Sequence, residues 1–104
     1  MALIQFFIKI EGNWKFVEKL KSVSTTENSP ATFEATVNEP NADVTWYCNG
    51  EEIKPDDDRF EIGLMSMKRS LTVKKPKKSD NGMVITCKTT MEKTEAKLSV
   101  KGAF

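Results

Sequence analysis

Two stretches, Val44-Thr45-Trp46-Tyr47-Cys48-Asn49-Gly50 and Met83-Val84-Ile85-Thr86-Cys87-Lys88-Thr89, hold both cysteines of this 104-residue chain. In the first, a β-branched and aromatic run ends at Asn49-Gly50. Both of those residues tolerate positive φ, so the pair closes a tight hairpin. In the second, Met83 to Lys88 is apolar on both parities, which marks a central strand. If Cys48 and Cys87 are bonded, the chain is a disulfide-stapled domain of an oxidising compartment. If they are not, it belongs elsewhere.

Outward from these stretches the chain reads as short strands divided by turn signals, an all-β pattern. Ala31, Phe33, Ala35 and Val37 alternate with Thr32, Glu34 and Thr36, as in a half-buried strand. Asn38 to Asp43 is rich in turn formers. Glu51 to Lys54 reads as the short return of the hairpin, Pro55 to Arg59 as a loop, and Phe60-Glu61-Ile62 as the next strand. Leu71 and Val73 mark another. Ala96, Leu98 and Val100 alternate with Lys97, Ser99 and Lys101 in the last. Phe16 to Val23 reads as the first strand of the body.

Composition narrows the function. The length suits one domain with one modest core. The 16 basic and 15 acidic side chains nearly balance, so no global field draws the chain to nucleic acid or to an anionic membrane. The absence of histidine removes the commonest general base and metal ligand. No CxxC pair, phosphate loop or nucleophile elbow is present, so neither a cofactor nor an enzymatic activity is expected. No clear signal peptide, glycosylation sequon or membrane-spanning run appears, which leads to the expectation of a cytoplasmic location.

The ordered set Val44-Thr45-Trp46, Asn49-Gly50-Glu51-Glu52-Ile53, Arg59-Phe60-Glu61-Ile62, Ser70-Leu71-Thr72-Val73 and Asp80-Asn81-Gly82 resembles the I-set immunoglobulin domains of giant muscle proteins of the titin, twitchin, obscurin and myosin-binding protein C type. The resemblance covers residues 16–102 and implies an immunoglobulin-like β-sandwich of two antiparallel sheets. It leaves residues 1–15 as an N-terminal extension or linker. It implies that Trp46 is the core Trp, faced by Leu71 and Val73 from the opposite sheet. It implies an ion pair between Arg59 and Asp80, and a corner at Gly82. The family's corner Tyr and its two bridge cysteines fall on Val84, Ala35 and Thr86. The usual inter-sheet disulfide is therefore not expected.

Side chains alternate faces along a strand, which permits a test of the two thiols. With Trp46 inward, Cys48 shares its parity and also points inward. With Val84 and Thr86 in the core, Cys87 points outward and cannot reach Cys48, because a disulfide needs Cβ atoms about 4 Å apart. That register keeps Gly82 at its usual offset and is the one taken. A slip by one is the alternative, and it turns Cys87 inward with Ile85 at the corner. Cys48 lies on the wrong side of Trp46 for a bridge in either case, so both registers give two free thiols. The expected core is Phe33, Ala35, Trp46, Leu71, Val73, Val84, Thr86 and Val100.

In the favoured register Met83, Ile85 and Cys87 form an apolar stripe on the outer sheet face. Near the N-terminus Ile4, Phe6, Ile8 and Ile10 alternate as in a strand. These seven residues form the candidate interaction surface, with the N-terminal segment packing on the domain or pairing with an edge strand of a neighbouring copy. Asp56, Asp57 and Asp58 lack the spacing of a calcium loop and read as solvated. Lys74-Lys75-Pro76-Lys77-Lys78 reads as a soluble turn, with docking of an acidic partner as the sharper alternative. The expectation is a non-enzymatic, load-bearing and protein-interaction module of a sarcomeric or cytoskeletal filament. Its partners are other modules of the same or a neighbouring filament protein, with neither nucleic acid nor membrane.

Overall fold

The computed structural model describes residues 14–102. Ile4, Phe6, Ile8 and Ile10 lie outside the described residues, and so does the pairing expected of them. Among the described residues nine strands follow in chain order: β1 (Phe16–Glu18), β2 (Val23–Thr26), β3 (Ala31–Val37), β4 (Thr45–Cys48), β5 (Glu51–Glu52), β6 (Phe60–Met65), β7 (Lys68–Val73), β8 (Val84–Lys88) and β9 (Lys93–Lys101). One sheet has the order β1-β3-β7-β6 and the other β2-β9-β8-β4-β5. All pairings are antiparallel except that of β2 with β9.

Period-two alternation builds the core. Ala31, Phe33, Ala35 and Val37 from β3 meet Leu71 and Val73 from β7 on one side. Trp46, Ile85, Cys87, Ala96, Leu98 and Val100 supply the other side. Burying each large side chain contributes roughly 1.5–3 kcal/mol. The packed body reaches back to Trp14, whose carbonyl accepts the buried Thr89 hydroxyl at 2.9 Å. Asn49 and Gly50 take φ of 51° and 87°, as the two-residue turn between β4 and β5 requires. The Asn49 side chain adds a tie, because its Oδ1 accepts the Val84 N–H at 2.8 Å.

The expected strand from Phe16 to Val23 is two strands, one in each sheet. The chain crosses over at residues 19–22, where Leu20 is buried and its N–H donates to Thr94 Oγ1 at 3.2 Å. The Lys97 N–H donates to Ser22 Oγ at 3.2 Å, which likewise draws the chain onto β9 before β2 begins.

The second correction is the register of β8. Trp46 stands opposite Cys87 and Cys48 opposite Ile85, so Cys87 and Ile85 share the inward face and both are fully buried. Val84 and Thr86 belong to the other face, where Thr86 lies between Tyr47 and Glu95 and its hydroxyl donates to the Glu95 carboxylate at 3.3 Å. The cause is a local irregularity. Both Gly82 and Met83 face Leu98: the Gly82 N–H donates to the Leu98 carbonyl at 2.7 Å, and the Leu98 N–H donates to that of Met83 at 2.9 Å. The Met83 N–H turns back to Asp80. One extra residue against one partner is a β-bulge, and it reverses the parity of everything that follows. Gly82, at φ 91°, supplies the backbone geometry for it.

Candidate interaction surfaces

The bulge removes the expected outer stripe. Met83, Ile85 and Cys87 are core residues, Ile85 and Cys87 fully buried and Met83 nearly so. Cys48 is half-buried against the same core. The two cysteines are free. Although they share a face of adjacent strands, they sit on a diagonal, about 7–8 Å apart at Cα, which is long for a disulfide. Ala35, at the family's first bridge position, has no sulfur to offer. Burial pushes the Cys87 thiol up to about 12, against a weaker lowering effect of Arg69. Burial also raises Cys48. Both remain protonated at neutral pH and are poor nucleophiles.

Arg59 does not pair with Asp80. Its guanidinium makes a two-pronged contact with Asp57, Nε to Oδ1 at 3.1 Å and Nη2 to Oδ2 at 2.8 Å. The Arg59 backbone N–H also donates to Asp57 Oδ1, so one tight turn fixes both groups at little entropic cost. Asp80 is occupied elsewhere, its carboxylate accepting the Lys77 N–H at 2.8 Å across a short 3-10 turn (Lys78–Asp80). Arg59 holds the Asp57 carboxyl down to about 2 and lies over the Phe60 ring, 5.0 Å from its centre.

The lysine run is a structural turn. Pro76 is fully buried and its carbonyl accepts the Asn28 N–H at 2.8 Å, which leaves the flanking lysines in solvent. A cleft of about 480 Å³ opens beside it, with Phe60, Val73 and Met83 as its floor and Arg59, Lys74, Lys75 and Lys77 on its rim. Asp58 and Asp80 on the same rim offset much of that positive charge. Among the described residues, no group of three or more Cys, Asp or Glu could hold a metal ion, and no helix is long and apolar enough to cross a membrane.

Two features were not read from the sequence. Arg69 is 1% exposed and pairs with no acid among the described ion pairs. Its guanidinium donates to the carbonyls of Ala42 (2.9 Å), Pro40 (2.8 Å), Ser66 (2.6 Å) and Lys68 (3.0 Å). It thereby ties the loop after β3 to the turn between β6 and β7. The signal was its parity, which is that of Leu71 and Val73. The second feature is the outer edge of β6, where Ile62, Leu64 and Met65 lie exposed beside Met67 of the following turn.

Two sheets of this order, packed on a buried Trp, with the first part of the chain divided between them, define an immunoglobulin-type sandwich. The chain belongs to the immunoglobulin I-set domain family, whose model matches residues 14–101. The muscle M-line assembly protein unc-89 of Caenorhabditis elegans is 40% identical over 70 residues, which are 65% of this chain and 1% of that protein. The chain thus spans a very small part of that relative. A crystallised I9–I11 tandem from titin superposes with a TM-score of 0.79 at 28% identity, covering 86% of this chain and 34% of the tandem. The Ig-like domain 615–713 of human obscurin-like protein 1 gives a TM-score of 0.77 at 20% identity, covering 93% and 94% of the two chains, a likeness of fold.

Proposed function

We propose that the chain is a non-enzymatic, load-bearing and protein-interaction module of a sarcomeric filament protein, acting beside other modules of the same or a neighbouring filament. One observation carries this reading: near the two ends of the described body, β2 and β9 pair in parallel. Val23 stands opposite Leu98, Ser24 opposite Ser99, Thr25 opposite Val100 and Thr26 opposite Lys101. Tension drawn through the two ends pulls these strands in opposite senses along their length. Their hydrogen bonds are then loaded together in shear rather than opened one at a time. The Glu27 N–H, bonded to the Lys101 carbonyl at 2.8 Å, extends the clamp past β2. Resistance to force is governed by the unfolding rate, which this clamp sets. The kinship with unc-89, a muscle M-line assembly protein by name, favours the sarcomere as its location.

Single-molecule pulling on the chain held by its two ends tests the reading. Thr25→Pro removes an amide from the middle of β2 and should lower the unfolding force markedly. Arg69→Met, which destabilises the domain away from the clamp, should leave that force nearly unchanged. Equal losses of force in the two variants would refute a clamp at β2 and β9. A second reading, docking of a partner through an exposed sheet edge, is favoured by the apolar side chains of β6.

A further inference from the structure

We infer that β6 is a self-pairing edge, through which two copies of this chain join their four-stranded sheets in antiparallel fashion about a twofold axis at Gly63. β6 ends its sheet, with β7 on one side and no strand on the other among the described residues. Sheet edges are usually guarded by lysine, proline, bulges or shortness. β6 has six residues in unbroken register with β7, no lysine or proline, and a single charge, Glu61. Its exposed apolar side chains are concentrated: Ile62 is 44% exposed, Leu64 70% and Met65 73%, with Met67 at 40% in the adjoining turn. Elsewhere among the described residues, only Val17 and Met91 are large, apolar and exposed.

The hydrogen-bond phase selects the register. The Lys74 N–H donates to the Arg59 carbonyl at 3.0 Å, and the two-residue turn Ser66-Met67 joins Met65 to Lys68. Bonded pairs in an antiparallel ladder recur at every second residue, so Glu61, Gly63 and Met65 spend their backbone groups on β7. The amide of Phe60 turns back to the Asp57 carbonyl at 3.2 Å. The N–H and C=O groups of Ile62 and Leu64 therefore point away from the sheet. A twofold axis at Gly63 sets Ile62 of one copy opposite Leu64 of the second, and each pair exchanges both backbone bonds. Gly63 then meets Gly63 in the close, non-bonded position, where Cα atoms approach to about 4.5 Å and no side chain intervenes. Glu61 falls opposite Met65 and Arg59 opposite Met67, so no like charges are opposed.

The area is small for a standard interface, which sets the strength at a weak dimer with Kd on the order of 100 μM. The pairing does not depend on the mechanical reading above. Analytical ultracentrifugation of the full chain, from about 10 μM to about 1 mM, tests it. The expected result is a concentration-dependent dimer that Leu64→Lys weakens at least about tenfold and Met91→Lys leaves unchanged. Leu64 is largely exposed, so the variant should keep its fold, which circular dichroism checks. A wild-type chain still monomeric at about 1 mM overturns the proposal, and so does a Leu64→Lys chain that dimerises normally. A dimer abolished by Phe6→Asp but intact in Leu64→Lys would assign association to the N-terminal segment and overturn it equally.

Discussion

Replacing Arg69 by methionine keeps most of the buried stem and deletes the guanidinium. Its consequence follows from where each acceptor lies. Pro40 and Ser66 are exposed loop residues, so their carbonyls can exchange the guanidinium for water at modest net loss. Ala42 is 1% exposed, and its carbonyl loses donors at 2.9 Å and 3.3 Å from two guanidinium nitrogens. Stranding one buried acceptor costs about 1–3 kcal/mol. Loosening the loop after β3 adds to that cost, while removal of a buried charge with no acid partner gives some back. The balance is a destabilisation of about 2–3 kcal/mol, or roughly 10–20 °C in melting temperature for a domain of this size. Arg69→Lys should rescue little, because one ammonium cannot reach carbonyls arranged around a planar fork. Urea unfolding followed by tryptophan fluorescence, with thermal melts by circular dichroism, measures both variants. A Met variant as stable as wild type or more so would refute the reasoning, and would mean that desolvating the guanidinium costs as much as its bonds return.

Thiol titration with a chromogenic disulfide should find two reactive groups in urea. In the native chain Cys87 should stay silent and Cys48 react slowly. Cys87→Ser should cost about 1–3 kcal/mol by placing a hydroxyl among apolar neighbours, read as a shift in urea midpoint. Asp57 ordinarily titrates near 3.8 and is held to about 2 in the fold. Its contribution to stability is complete above 3.8 and disappears as pH falls through about 2. Asp57→Asn should therefore flatten the acid limb of melting temperature against pH between those values. Gly82→Ala should cost about 1–2 kcal/mol, since φ there is 91° and a side chain disfavours that region; an unchanged melting temperature would mean that the bulge had relaxed.

Elements whose evidence is local were legible in the sequence. The alternation in β3 and β9, the apolar-to-turn step at Asn49-Gly50 and the position of Trp46 each depend on neighbours in the chain, and the structure agrees with each. Failures came where a distant hydrogen bond decides between near-equal local choices. Met83, Val84, Ile85 and Cys87 are apolar on both parities, so only the Gly82–Met83 bulge against Leu98 chooses the inward set. Asp57 and Asp80 are both available acids, and the nearer one takes Arg59 because its own turn has already positioned it. A charge such as that of Arg69 is by itself the mark of a surface position, and only the carbonyls at its far end make its burial tolerable. The exposed apolar residues after Ile62 carry no local signal of their role, since a strand's place at a sheet edge is a property of topology alone.

The clamp and the edge lie on different sheets. β2 and β9 belong to the five-stranded sheet, while β6 closes the four-stranded one. On the proposed mechanical reading, force entering at the two ends loads the β2–β9 ladder before it strains β6. On the proposed readings, a partner paired at β6 adds nothing to the ladder that yields first. Pulling experiments on the dimer and on the Leu64→Lys chain should therefore give the same unfolding force, although their equilibrium stabilities differ by mass action. A higher force for the dimer would place the mechanical barrier in the four-stranded sheet. β1, the short strand that precedes β2 and pairs with β3, would then be the element that resists first.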